Sequence, residues 1–311
     1  MKIAIVTTCT NRKKASPHPL LCANDLPKGD QQSLLFNWAG RVEKASERIP
    51  AIHLYSGRGF SEIRKVTHNK SIDLWVVSAG LGLINGDKNV PPYNLTISPS
   101  AQDSVQNRLS VGSFDPKSWW KGLNKQLHNR ETPLSDLIKD CKDTIFIISL
   151  PQTYLSFISL DLFNLEAKDL LKVRFLGLNS RIPMPFEFRH YYIPYDERFD
   201  GPDSPNPGTR ADFSQRVTRH FIENILSKNP HSTPTEHANS VLNTLSKMRQ
   251  PSKFNRTQKT DDQIKVLIIK NWETAKGSGA RSLRILRDQE SVACEQGRFA
   301  NLFREIKTRI T

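Results

Sequence analysis

No run of the 311 residues approaches the ~20 consecutive apolar positions that a membrane-crossing helix needs. Hydrophobic residues make up 37% of the chain, and mean hydropathy is −0.51, the profile of a soluble protein. The opening MKIAIVTTCTNRKK has an apolar stretch too short for a signal peptide, with its positive charge on the wrong side. It reads as the first strand of a cytoplasmic protein. Cysteine is scarce: Cys9, Cys22, Cys141 and Cys294 form no C-x-x-C pair, a poor zinc pattern and a poor disulfide framework. Walker, H-E-x-x-H, G-x-S-x-G and EF-hand patterns are all missing, so the sequence calls for no metal and no small-molecule cofactor. Acidic residues are the last shortage. Thirty-one Asp+Glu stand against forty-five Lys+Arg, a net charge of +14. Such a balance serves solubility or favours polyanions, and nucleic acid is the first candidate partner.

Short apolar runs alternate with helical stretches through the first two thirds. KIAIVTT (2–8), DLWVVSA (73–79), TIFIISL (144–150), KVRFLGL (172–178) and HYYIPY (190–195) read as strands. Most are continuously apolar, as in strands covered on both faces. Residues 31–46, 60–68, 119–129 and 152–164 read as helices. This alternation predicts an α/β fold with a mainly parallel sheet flanked by helices, whose ligands gather at the carboxyl ends of the strands. A further helix over 209–226 starts after Pro207-Gly208, with Thr209 as cap and Asp212 three residues on. The expected organisation is an α/β domain over 1–227, a Pro/Ser/Thr/Asn-rich linker with one short helix over 228–259, and a basic three-helix domain over 260–311. Residues 229–311 carry fifteen Lys+Arg and eight Asp+Glu. Arg281, Arg284 and Arg287 recur every third residue, making either a DNA-contacting stripe of a helix-turn-helix type or a solvated face. In the last helix Phe299, Leu302, Phe303, Ile306 and Ile310 share one apolar face.

Three loops are expected at the carboxyl edge of the sheet. The first, TTCTNRKK (7–14), offers Thr8, Cys9 and Asn11, then Arg12, Lys13 and Lys14. It is either a polar turn with a solvated basic run or a pocket floor whose cations meet phosphate. Cys9 has no histidine neighbour in sequence to activate it as a nucleophile. The second loop holds Ser78, Gly80, Leu81 and Gly82, then Tyr93 and Asn94 after two prolines. Here a structural turn competes with a binding wall, in which Tyr93 stacks on a base and Asn94 bonds a base edge or a water. The third runs over 194–216, where Asp196, Arg198, Arg210 and Asp212 suit water activation and anion binding, or ion pairs and a helix cap. Tyr55 and Arg58, in HLYSGRGF, are minor contributors.

KIAIVTTCTNRKK, LYSGR, VVSAGLGLI…PPYNLTI and PYDERFDG…GTRADFSQR together resemble a bacterial family similar to the uracil-DNA-glycosylase-like domain attached to archaeal tRNA-guanine transglycosylases. The likeness covers roughly residues 1–226, and with the basic tail the whole is similar to the Brig-type anti-phage DNA glycosylases. The resemblance implies an enzyme that hydrolyses the N-glycosidic bond of a modified base, glucosylated hydroxymethylcytosine of phage DNA, leaving abasic sites. It departs from the uracil-glycosylase pattern in lacking the G-x-D-P-like and H-P-S-P-like loops, and in holding Asn94 where many members have Asp. Asn94, Asp196 and Asn11 are the expected catalytic residues. Thr8, Cys9, Arg12, Tyr55, Arg58, Ser78, Gly80, Leu81, Gly82, Tyr93, Arg198 and Arg210 are expected around the substrate. Lys13, Lys14, Arg281, Arg284 and Arg287 are expected on DNA. Two other readings share these residues: a base-exchanging enzyme linked to tRNA modification, and a non-catalytic DNA-binding module. Three consecutive cations at a loop end read as exposed, so simple hydrolysis is expected, without an amine nucleophile that also cuts the strand.

Overall fold

The computed structural model describes residues 2–68, 71–177, 185–252 and 255–310. They form two compact units, Met1–Pro251 and Ser252–Thr311. The first is built on a five-stranded sheet of β1 (Lys2–Thr8), β2 (Ile72–Ser78), β3 (Gly82–Asn85), β4 (Thr144–Ser149) and β5 (Val173–Leu176). The spatial order is β3-β2-β1-β4-β5, parallel except for the antiparallel β2–β3 pair. Ala4, Ile5 and Val6 of the central strand and Phe146, Ile147 and Ile148 beside them are buried. The fold class is therefore α/β with a mainly parallel sheet, as the continuous apolar runs predict.

Among the flanking helices are α1 (Gln31–Lys44), α2 (Arg58–Thr67), α3 (Pro116–His128) and α4 (Phe213–His220). Helices α1 and α3 begin or end for local reasons. Asp30 caps α1 by accepting from the Ser33 amide at 3.0 Å, Pro116 opens α3, and Asn129 closes it at φ 52°. Helices α1 and α3 pack together, α2 packs on α4, and α4 rests on β4 and β5. Helix α4 continues into a π-helical turn, Phe221–Leu226.

Three expectations change. HYYIPY is not a strand: a 3₁₀ segment covers Phe186–Tyr191, and only Tyr192 bridges to Phe175. Pro194 has no N–H with which to extend the ladder. The helix over 152–164 breaks at Ile158 into Gln152–Phe157 and Ser159–Phe163. The buried Asp161 then accepts from the Trp120 indole at 2.6 Å and the Leu134 amide at 2.7 Å. Finally, much of the expected linker belongs to the first unit. Its helix α5, Pro234–Ser246, contributes Val241 and Leu245 to the main core.

In the second unit, α6 (Asp261–Lys270), α7 (Gly279–Asp288) and α8 (Gln296–Ile310) surround Ile264, Ile268, Leu286, Phe299, Leu302 and Ile306. A two-residue parallel pairing, Thr257–Gln258 with Val292–Ala293, joins them and was not expected. Leu178 and the side chain of Ile310 lie outside the described residues.

Candidate active site at the carboxyl edge of the sheet

Strand β1 runs one bond past its end, the Cys9 amide donating to the Val77 carbonyl at 3.1 Å. The chain then turns and returns as a short extended segment beside Leu54–Ser56. Lys13 bridges Tyr55 in antiparallel fashion. Lys14 N donates to Leu54 O at 2.9 Å, and Ser56 N donates to Arg12 O at 3.0 Å. The Thr10 hydroxyl closes the turn onto the Arg12 carbonyl at 2.8 Å. Successive side chains of an extended segment face opposite ways. Arg12 and Lys14 accordingly lie exposed, while Lys13 is turned inward and half-buried.

The Lys13 ammonium lies 4.3 Å from the centre of the Tyr93 ring, an attraction of about 1–2 kcal/mol where water is excluded. The Tyr93 hydroxyl shares hydrogen bonds with Ser78 Oγ at 2.8 Å and the Tyr55 hydroxyl at 3.1 Å. Across the loop, Cys9 Sγ and the Tyr154 hydroxyl are 3.3 Å apart. Tyr154 follows the end of β4, so the loops of three parallel strands converge here. Burial lowers the Lys13 pKa from the usual lysine value, while Cys9 and Asp103 act to raise it. Burial likewise pushes the phenols of Tyr55, Tyr93 and Tyr154 above their ordinary range, so they stay neutral. The cluster is a desolvated amine beside neutral phenols and the Cys9 sulfur.

The glycines of the second loop answer to protein packing rather than to a ligand. A Cβ at Gly80 would lie 2.8 Å from the Tyr93 ring, and one at Gly82 2.3 Å from Asn124 Oδ1. Gly82 also has φ +74°, favourable only to glycine. Indole N–H groups of Trp38 and Trp119 bond the Gly80 and Ala79 carbonyls at 2.6 and 2.8 Å. Leu81 is buried, and its carbonyl meets His128 Nε2 at 2.8 Å. The turn over 78–82 is thus a packed floor, not an open wall. Tyr93, 1% exposed, has no free face to stack on a base and serves instead as a support for Lys13.

Asn94 sits between the inward Tyr93 and Leu95 and is half-buried. Its backbone bonds Leu21 O at 2.8 Å and Ala23 N at 2.7 Å, while its side-chain amide has no partner among the described residues. Asn11 is exposed on the turn, and Thr8 is half-buried, its hydroxyl donating to Cys9 O at 3.1 Å.

The third loop does not join this cluster. Asp196 spends both carboxylate oxygens on Arg198, at 3.0 Å to Nε and 2.7 Å to Nη2, and caps the segment Glu197–Asp200. No hydrogen bond, ion pair or ring contact links it to Asn94 among the described residues. Arg210 is exposed. Asp212 accepts from the Thr209 amide at 2.7 Å as a helix cap and pairs with the buried Arg216 at 2.8 Å. Arg58, exposed, stands 3.9 Å from Asp212. In the second unit Arg281 and Arg284 are exposed, but Arg287 is half-buried and donates to the Cys294 carbonyl at 2.8 Å.

Sequence reasoning missed Tyr154 and Asp103. Tyr154 lies five residues beyond the end of β4, where the strand-end rule alone points; Asp103 has no local signal. No family model, curated protein or solved structure matches this chain.

Proposed function

We propose that the protein is a DNA glycosylase that releases a modified base, with its reaction centre at the carboxyl edge of the sheet. The supporting observation is the convergence of Lys13, Tyr93, Ser78, Tyr55, Cys9 and Tyr154 at one point beyond β1, β2 and β4, in a chain of net charge +14. Cleaving an N-glycosidic bond leaves electrons on the departing base and positive charge on the sugar. A cation and amide donors held in place stabilise the former. Lys13 supplies the cation, and the unpartnered amides of Asn94 and Asn11 supply donors for the base edge or the attacking water. Asp196, tied to Arg198, belongs to the scaffold of its own loop.

The base favoured by the resemblance in sequence is glucosylated hydroxymethylcytosine of phage DNA, with anti-phage defence as the biological role. A base inside a duplex must be extruded first, at about a few kcal/mol. Basic contacts from Arg12, Lys14 and the second unit offset that cost. Incubating the protein with modified and unmodified DNA and weighing the released species tests the reading. Free base supports it, exchange with added base points to a base-exchanging enzyme, and DNA binding without either product points to a binding module.

A further inference from the structure

We propose that Lys13 is an amine nucleophile that forms an imine with the sugar aldehyde of an abasic site, so that base release is followed by strand cleavage. The substrate class rests on the glycosylase reading; the placement of the amine does not. Expecting simple hydrolysis depended on Lys13 being exposed, and it is not. The bridge to Tyr55 turns it inward, and the Tyr93 ring holds its ammonium at 4.3 Å. Tyr93 is itself fixed by Ser78 and Tyr55, so the amine rests on a rigid support rather than a free stem. Cys9 and Asp103 are the titratable groups whose charge reaches it, and the neighbouring phenols remain neutral. Desolvation enlarges the neutral, nucleophilic fraction of the amine. Lys13 is not fully buried.

The chemistry closes without a further reactant. The Lys13 nitrogen attacks C1′ of the open-chain sugar, a C–N bond forms, and the carbonyl oxygen leaves as water. Water takes the C2′ proton, the C–H electron pair becomes the C2′=C3′ double bond, and the C3′–O bond breaks with its electron pair leaving on the 3′ phosphate. Hydrolysis of the imine returns the free amine.

The test uses the full chain with duplex DNA containing one abasic site prepared beforehand, so it does not depend on base release. Borohydride should trap a covalent adduct, which peptide mass mapping places on Lys13. Lys13→Arg, which keeps a cation, should lower trapping at least tenfold. No adduct, or an adduct on another residue of the wild-type protein, overturns the inference. Base release without trapping leaves the glycosylase reading standing and removes this one. Trapping on Lys13 without release from any modified DNA does the reverse.

Discussion

At the scale of single residues, the sequence showed some of the side chains near the site but not which way they face. Arg12-Lys13-Lys14 looks like a solvated run because nothing in the string announces a return strand beside Leu54–Ser56. The two-residue alternation it creates buries only the middle cation. The same alternation separates Tyr93 from Asn94. The Gly80 and Gly82 spacing was legible as a tight turn, but the atoms that demand it, on Tyr93 and Asn124, come from 13 and 42 residues downstream. His220 is another residue whose neighbours decide its chemistry. It is buried against the Tyr195 and Phe199 rings, and its Nδ1 meets the Tyr195 hydroxyl at 2.7 Å. Burial lowers its pKa to about 4; Glu223 opposes the shift and Lys228 adds to it. The unfolded chain takes up this proton below its ordinary value of about 6.5, whereas the folded chain waits until about 4. Stability from this residue is therefore full above pH 6.5 and lost as pH falls to 4, by up to about 3 kcal/mol. Urea midpoints across that range should fall less steeply in His220→Gln than in the wild type. Parallel slopes would show that His220 is not buried neutral.

At the scale of elements, length and punctuation decided what could be read. The strands 2–8, 144–149 and 173–176 and the helices with clear caps were legible, because apolar continuity and a capping residue are local signals. The Thr209–Asp212 start of α4 is one such case. HYYIPY failed because a β-rich composition does not supply the amide that Pro194 lacks. Helix α5 was visible, opened by Thr233, Pro234 and Glu236, but its composition suggested a linker. Its attachment depends on Val241 and Leu245 meeting a core made elsewhere, which no local window contains. Leu245→Ala should consequently destabilise the first unit by roughly 2–5 kcal/mol, the usual cost of a truncated core leucine. Urea denaturation of the purified variant measures it, and a change within about 0.5 kcal/mol, the range of surface substitutions, would return the helix to a linker.

At the scale of the whole molecule, charge is the property that the sequence states outright. What it cannot state is which basic residues remain available. Arg216 is consumed by Asp200, Asp212 and two carbonyls, and Arg287 by Cys294. The stripe of three arginines is thus two as far as a ligand is concerned. Arg281→Ala with Arg284→Ala should weaken DNA binding and reduce the slope of log affinity against log salt by about 2, near 0.9 for each phosphate no longer neutralised. An unchanged slope would make the pair a solvated face.

We propose that the cluster beyond β1, β2 and β4, with the Asn94 amide as a donor, breaks N-glycosidic bonds in DNA. Its most direct test is single-turnover release of free base from DNA carrying glucosylated hydroxymethylcytosine, measured by mass for the wild type and Asn94→Ala. One free base per abasic sugar formed is expected, whether that sugar stays intact or is cleaved, with a roughly 100-fold slower release in the variant and DNA binding retained. Wild-type protein that binds this DNA yet frees no base, or an Asn94→Ala variant that releases it at the wild-type rate, would contradict it.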